Sequence, residues 1–151
     1  MKLSTKGRYA MVALVDLATA GEGLTTLADI SKRQDVSLPY LEQLFVRLRR
    51  AGLVKSVRGP GGGYRLARPA DQIRVSEILA AVDETMDALA RGGGASGGAV
   101  GTPEQRLADR LWEQLSANVY VFLHQTRLAD VVRNQLAPCP AVPAFVELVD
   151  E

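Results

Sequence analysis

The chain has 151 residues, 47% of them hydrophobic and 5% aromatic, which suits one compact domain, or one small domain with a helical extension, around a core of Leu, Val and Ala. The formal charge of +1 hides a division: residues 1–74 carry thirteen cations and six anions, a balance of +7, while residues 75–151 carry five cations and eleven anions, a balance of −6. The N-terminus leads into an amphipathic segment and not an apolar signal region, no run approaches a membrane span, and the single cysteine, Cys139, excludes an intrachain disulfide framework, so a cytoplasmic protein with no membrane partner is expected.

Residues 5–20 place Tyr9, Ala10, Val12, Ala13, Leu14 and Leu17 at spacings that predict a helix with one buried face, ended by Gly21 and Gly23. Thr26 with Asp29 three residues on resembles a capping box opening a short helix to about Arg33. Asp35-Val36-Ser37 forms a turn. Ser37 is a good N-cap and Pro39 falls in the first turn of a third helix, Leu38 to about Ala51, with Leu41, Leu44, Phe45 and Leu48 on its apolar face and Gly52 as its stop. Two short strands follow near Leu53–Val57 and Tyr64–Leu66, joined by a Gly/Pro cluster that forms a hairpin tip. Val75 to about Met86 is a fourth helix with Ile78, Leu79 and Val82 inward. Residues 92–101 hold six glycines and read as a flexible linker. Pro103 starts a long helix to about Thr126, with Leu107, Leu111, Leu115, Val119 and Phe122 on one face. A short helical piece spans Leu128–Leu136, and the tail from Pro138 is irregular.

Three helices followed by a hairpin predict a mostly α fold: a winged helix-turn-helix domain with a small two-stranded wing, plus a long C-terminal dimerisation helix. The expected division is a DNA-binding domain over residues 1–88, a glycine-rich loop over 89–102, a dimerisation region over 103–137 and a tail over 138–151. The basic half fits double-stranded DNA, although cations that merely solvate helix faces would give the same sum. Lys2, Lys6 and Arg8 suit phosphates, which position the protein without carrying sequence information. Base readout is expected from the start of the third helix, at Ser37, Tyr40, Glu42 and Gln43, with Pro39 a further DNA-binding candidate there. A glutamine amide pairs with adenine and a glutamate accepts from cytosine N4. Arg47 adds a cation in the last turns. In the wing, Arg58 suits a narrow minor groove, and Gly59 and Gly61 let the backbone approach closely. The glycines of 59–63 lack the Gly-Lys-Ser/Thr ending of a phosphate-cradling loop and open no helix. The long helix is expected to pack on the same helix of a second subunit; folding back onto its own winged domain is the alternative.

These residues resemble the IscR-type family of iron–sulfur cluster regulators. The resemblance is carried by Leu3-Ser4-Thr5-Lys6-Gly7-Arg8-Tyr9-Ala10, by Leu27-Ala28-Asp29-Ile30-Ser31, by Ser37-Leu38-Pro39-Tyr40-Leu41-Glu42-Gln43-Leu44-Phe45, by Gly52-Leu53-Val54, by Ser56-Val57-Arg58-Gly59-Pro60-Gly61-Gly62-Gly63-Tyr64 and by Val82-Asp83-Glu84. It covers the first 88 residues closely and the long helix more loosely around Leu111-Trp112. It implies a homodimeric winged-helix regulator on a near-palindromic site, with Ser37, Glu42, Gln43 and Arg58 touching DNA. Pro39 stands where the family commonly has serine. The family also implies a 2Fe–2S cluster, held by three cysteines in the loop before the long helix and a nearby histidine. Here that loop is glycine-rich and without cysteine, and the histidine position is occupied by Asp109.

Three readings of Cys139 follow. It is a ligand of an unusually held 2Fe–2S cluster, with His124 as a second donor and Asp109 or Glu113 as weaker ones; or a redox-sensing thiol; or an incidental tail residue on a cofactor-free regulator. With one histidine, one cysteine and no matching nucleophile–base signature, no catalytic constellation forms and no enzyme is expected. The overall expectation is a repressor of iron or iron–sulfur metabolism genes. The alternatives are a cofactor-free or thiol-sensing DNA-binding protein, and a helical interaction protein with an acidic partner.

Overall fold

The computed structural model describes residues 4–82 and 101–136. Lys2, the later part of the expected fourth helix, most of the glycine-rich segment and the tail with Cys139 lie outside the described residues.

Helix α1, Thr5–Thr19, opens on Ser4, whose hydroxyl accepts the Gly7 N–H at 3.4 Å. Ala10, Ala13, Leu14 and Leu17 are buried as expected, and Tyr9 is half-buried. Val12 is not part of that face and is 39% exposed. The helical pitch explains the difference, because two residues beyond Ala10 is a rotation of about 200°, toward the opposite side.

Helix α2, Leu27–Gln34, is capped by Thr26, whose hydroxyl accepts the Asp29 N–H at 3.1 Å. It ends at Asp35, held in a left-handed conformation at φ 52°, which Asp tolerates better than most residues. Beside it the Ser31 hydroxyl donates to the Val36 carbonyl at 2.6 Å.

Helix α3, Leu38–Arg50, begins at Ser37, whose hydroxyl accepts the Tyr40 N–H at 3.4 Å. Leu41, Leu44, Phe45 and Leu48 are its buried face. The helix stops where Gly52 adopts φ 76°. The Leu53 N–H then reaches the Leu48 carbonyl and the Gly52 N–H the Arg49 carbonyl, both at 3.0 Å, a Schellman closure. That reversal drives Leu53 and Val54 into the core.

Strand β1, Val54–Val57, pairs antiparallel with β2, Gly63–Leu66, in the register Val54↔Leu66, Lys55↔Arg65, Ser56↔Tyr64 and Val57↔Gly63. Val54 faces the core and Lys55 solvent, as period two requires. A third segment joins this sheet at one position: Thr25 and Tyr64 exchange backbone hydrogen bonds of 2.9 and 2.7 Å. Gly63 lies so close that a Cβ there would stand 2.7 Å from the Thr25 carbonyl oxygen.

A 3-10 turn at Ala70–Gln72 leads into α4, Val75–Ala81, which buries Ile78 and Leu79, with Val82 fully buried after it. Burial pushes the Glu77 carboxyl up, but the Arg74 N–H and the Arg68 guanidinium it accepts from outweigh that, and the net direction is down.

Helix α5, Pro103–Gln125, starts with a reciprocal capping box: Thr102 accepts from the Gln105 N–H at 3.1 Å, and the Gln105 side chain accepts from the Thr102 N–H at 2.9 Å. Its 23 residues span about 34 Å, and none of them is buried.

Helix α6, Leu128–Val132, returns to the first domain. The Val75 N–H donates to the Thr126 carbonyl at 2.9 Å and the Leu128 N–H to the Ile73 carbonyl at 2.8 Å. Leu128 is fully buried within the core that α1 and α3 build. Sequence pattern groups Leu128 with the dimerisation region; the structure makes it a core residue of the winged domain.

An interaction absent from the sequence reading ties α1 to α2. Asp16, 9% exposed, accepts from Arg33 Nε at 3.0 Å, from its second nitrogen at 2.6 Å, and from Gln34 Nε2 at 2.8 Å. The Arg33 hydrogen bonds hold the Asp16 carboxyl below its ordinary 3.8, against the opposing effect of burial and with the help of Gln34. A depressed carboxylate pKa adds stability above the unfolded value, and that contribution is lost as pH falls through the folded one. Asp16→Asn should therefore lower unfolding free energy by roughly 1–3 kcal/mol at neutral pH. In denaturant titrations, the gap between variant and parent should stay constant down to about pH 5 and shrink below 3.8.

Candidate nucleic-acid interface

The side chains expected to meet DNA come from three places, and two aromatic contacts join them. Tyr9 of α1 meets Tyr40 of α3 edge-on, with ring centroids 5.7 Å apart and planes at 80°. This sets the N-terminal end of α1, which carries Lys6 and Arg8, beside the opening turn of α3. Phe45, fully buried in the middle of α3, meets Tyr64 of β2 at 4.9 Å and 70°. Edge-to-face pairs of this kind add about 0.5–1.5 kcal/mol beyond area burial. The wing is thus packed on the same helix whose first turn is to be read.

At the start of α3, Ser37, Pro39, Glu42 and Gln43 are exposed and Tyr40 is half-buried. Ser37 accepts the capping hydrogen bond, which leaves its O–H to donate outward. Pro39 lies within the first turn, where its missing N–H disturbs no intrahelical bond. The free N–H groups and the dipole of this helix end favour an anion. Lys6 is half-buried and Arg8 exposed. At the hairpin tip Arg58, Gly59 and Gly61 are all exposed, with φ of 101° at Gly59 and 73° at Gly61.

Arg47 has a partner within the fold. It is half-buried, and its guanidinium donates to the Val82 carbonyl at 3.4 Å, so it braces α3 against α4. Other cations of the basic half also serve the fold. Arg33 is paired with Asp16. Arg68 bonds Glu77 at 3.1 Å and the Gln72 carbonyl at 3.0 Å. Arg74 donates to the His124 carbonyl at 2.6 Å, at the negative end of α5.

Sequence reasoning missed Thr25 as the wing's anchor and Asp16 as the α1–α2 lock. A carboxylate three residues beyond Ala13, at the edge of an apolar face, was the available signal for the second. No local pattern marks the first.

The resemblance implies an iron–sulfur cluster, and the described donors do not fit one. Among the described residues no group of three His, Cys, Asp or Glu side chains is placed to hold a metal. The His124 ring engages the Ser76 hydroxyl through Nδ1 at 3.1 Å and stacks on Tyr120 at 5.6 Å. Among the described residues no helix is long and apolar enough to cross a membrane.

A capped recognition helix, a hairpin packed on it and basic side chains at both define a winged-helix DNA-binding protein. The Rrf2 family model, described as an iron-dependent transcriptional regulator, matches residues 3–134. The chain belongs to that family, whose members regulate transcription and are not enzymes. It is 70% identical over 154 residues to the HTH-type transcriptional regulator IscR of Cereibacter sphaeroides, covering 100% of this chain and 99% of that one. With the regulator of the same name from Erwinia tasmaniensis it shares 51% identity over 138 residues, 89% of this chain and 81% of the other. Among solved structures, CymR, the global cysteine regulator of B. subtilis, superposes with a TM-score of 0.74 at 35% identity, covering 89% of this chain and 98% of that one. IscR of T. potens superposes with a TM-score of 0.70 at 37% identity, over 92% and 94% of the two chains.

Proposed function

We propose that this regulator acts in the cytoplasm as a homodimer that represses genes of iron or iron–sulfur metabolism. Ser37, Glu42, Gln43 and Arg58 read the DNA, and Lys2, Lys6 and Arg8 hold its phosphates. One observation carries the DNA assignment: the exposed opening turn of α3 and the wing bearing Arg58 are locked to one helix through Phe45 and Tyr64. Arg58 is exposed and has no partner among the described residues. Arg58→Ala should weaken binding to a specific duplex about tenfold at fixed salt. Titration by fluorescence anisotropy checks this, and unchanged affinity removes the wing contact.

The dimer reading is supported by α5. Leu107 is 66% exposed and Leu111 60%, with Trp112, Leu115 and Phe122 also open. A stripe of that size is more than solvent-facing single residues explain and fits a second copy of the same helix. Leu111→Asp should convert the sedimenting species from dimer to monomer; a dimer mass for the variant would refute the α5 interface.

Sensing is assigned to Cys139. A cluster ligated by this thiol, with the partner subunit doubling the donors, is supported by the iron-dependent description of the family. The alternative, a redox thiol, is supported by the likeness to a cysteine regulator and to the oxidised form of Staphylococcus aureus CymR, superposed at a TM-score of 0.69. Visible absorption of anaerobically purified protein, lost in Cys139→Ala, is expected for the cluster. A colourless chain after treatment with iron and sulfide, whose DNA affinity responds to oxidant only when Cys139 is present, is expected for the thiol.

A further inference from the structure

Between Glu42 and Asp71 the chain has seven cations and no acid. Arg47 and Arg68 are used by the fold, as described above. Arg49, Arg50, Lys55, Arg58 and Arg65 remain, all exposed and without a partner among the described residues. Arg58 belongs to the wing tip already assigned. Two of the others, Lys55 and Arg65, are directly paired across the two strands. Their neighbours in the register, Val54 with Leu66 and Ser56 with Tyr64, occupy the inward face, so Lys55 and Arg65 stand together on the outward face of the wing.

Like charges directly opposite one another destabilise an antiparallel pair. An isolated hairpin this short has little stability to spare. A stabilising choice at either position is simple, since one acid would convert repulsion into attraction. Keeping two cations there makes sense when an external anion neutralises both. The same hairpin carries Arg58 at its tip, so the polyanion that meets the tip is the one within reach of its outer face.

We propose that Lys55 and Arg65 form a phosphate clamp on the outer face of the wing, gripping the DNA backbone independently of sequence. This inference rests on the DNA-contact reading of Arg58 and adds a second contact to it. The base contacts of α3 would choose the site, while the clamp would contribute to affinity on every duplex and to its salt dependence.

The test uses the full chain, a random-sequence duplex and binding measured over a series of salt concentrations. Lys55→Glu places opposite charges across the strands, so its melting temperature should be equal to or above the parent's, while duplex affinity falls at least about tenfold near 100 mM salt. Lys55→Thr combined with Arg65→Thr should keep the fold, since Thr suits strands, and lower the slope of log affinity against log salt by at least about 1. A merely structural role would lower melting temperature and affinity together. Affinity and slope equal to the parent's, in a background where Arg58→Ala still weakens binding, would overturn the clamp alone. If Arg58→Ala also has no effect, the wing reading fails with it.

Discussion

Tyr64 joins the wing to two other parts of the fold, while Val54 and Leu66 seat its base in the core. The Tyr64 ring packs edge-on against buried Phe45, and its backbone exchanges two hydrogen bonds with Thr25. A two-stranded hairpin of four residues per strand is not stable alone in water. Here it borrows a core from α3 and an edge partner from the residue before the Thr26 cap. Because Thr25 directly precedes the Thr26 cap of α2 and Phe45 sits within α3, the wing angle is coupled to the helix-turn-helix angle. Gly63 permits this joint, since a side chain there would meet the Thr25 carbonyl.

A second constraint sorts the basic residues. The +7 balance of the first half identifies a polyanion surface but not which cations form it. Arg33, Arg47, Arg68 and Arg74 are spent within the fold, on a carboxylate or on carbonyls near helix ends. Each stiffens the frame that presents the rest. The exposed remainder among the described residues lies at the start of α1, in the last turn of α2, at the end of α3 and along the wing.

The C-terminal return governs what α5 can do. Thr126 and Leu128 bond to the segment entering α4, and Leu128 plugs the core beside α1. The base of the long helix is thereby fixed to the DNA-binding domain, while among the described residues its apolar stripe is exposed. A second subunit docking there would be coupled rigidly to the position of α3. That arrangement is what a regulator on a near-palindromic site requires, since half-site spacing is set by geometry between the two recognition helices.

Much of the fold was legible in order along the chain. Caps at Ser37 and Thr26, the stop at Gly52, the glycine-rich hairpin and the Pro103 start are local signals whose physics is complete within a few residues, and each stands where sequence put it. The inward positions of α3 followed from the 3.6 period. The differences have two causes. Val12 departs from the buried face through helical rotation, a local effect; the others concern contacts between distant segments. Arg47 donates to a carbonyl 35 residues away, a partner no local pattern reveals. Leu128, in a short helical piece that sequence groups with the dimerisation region, completes a core begun at Ala10. Local chemistry determines where helices and turns begin and end, because the groups that satisfy the backbone there are neighbours in sequence. Which charge is spent, which apolar residue is covered and which remains free for DNA are decided only when the tertiary structure brings distant partners together.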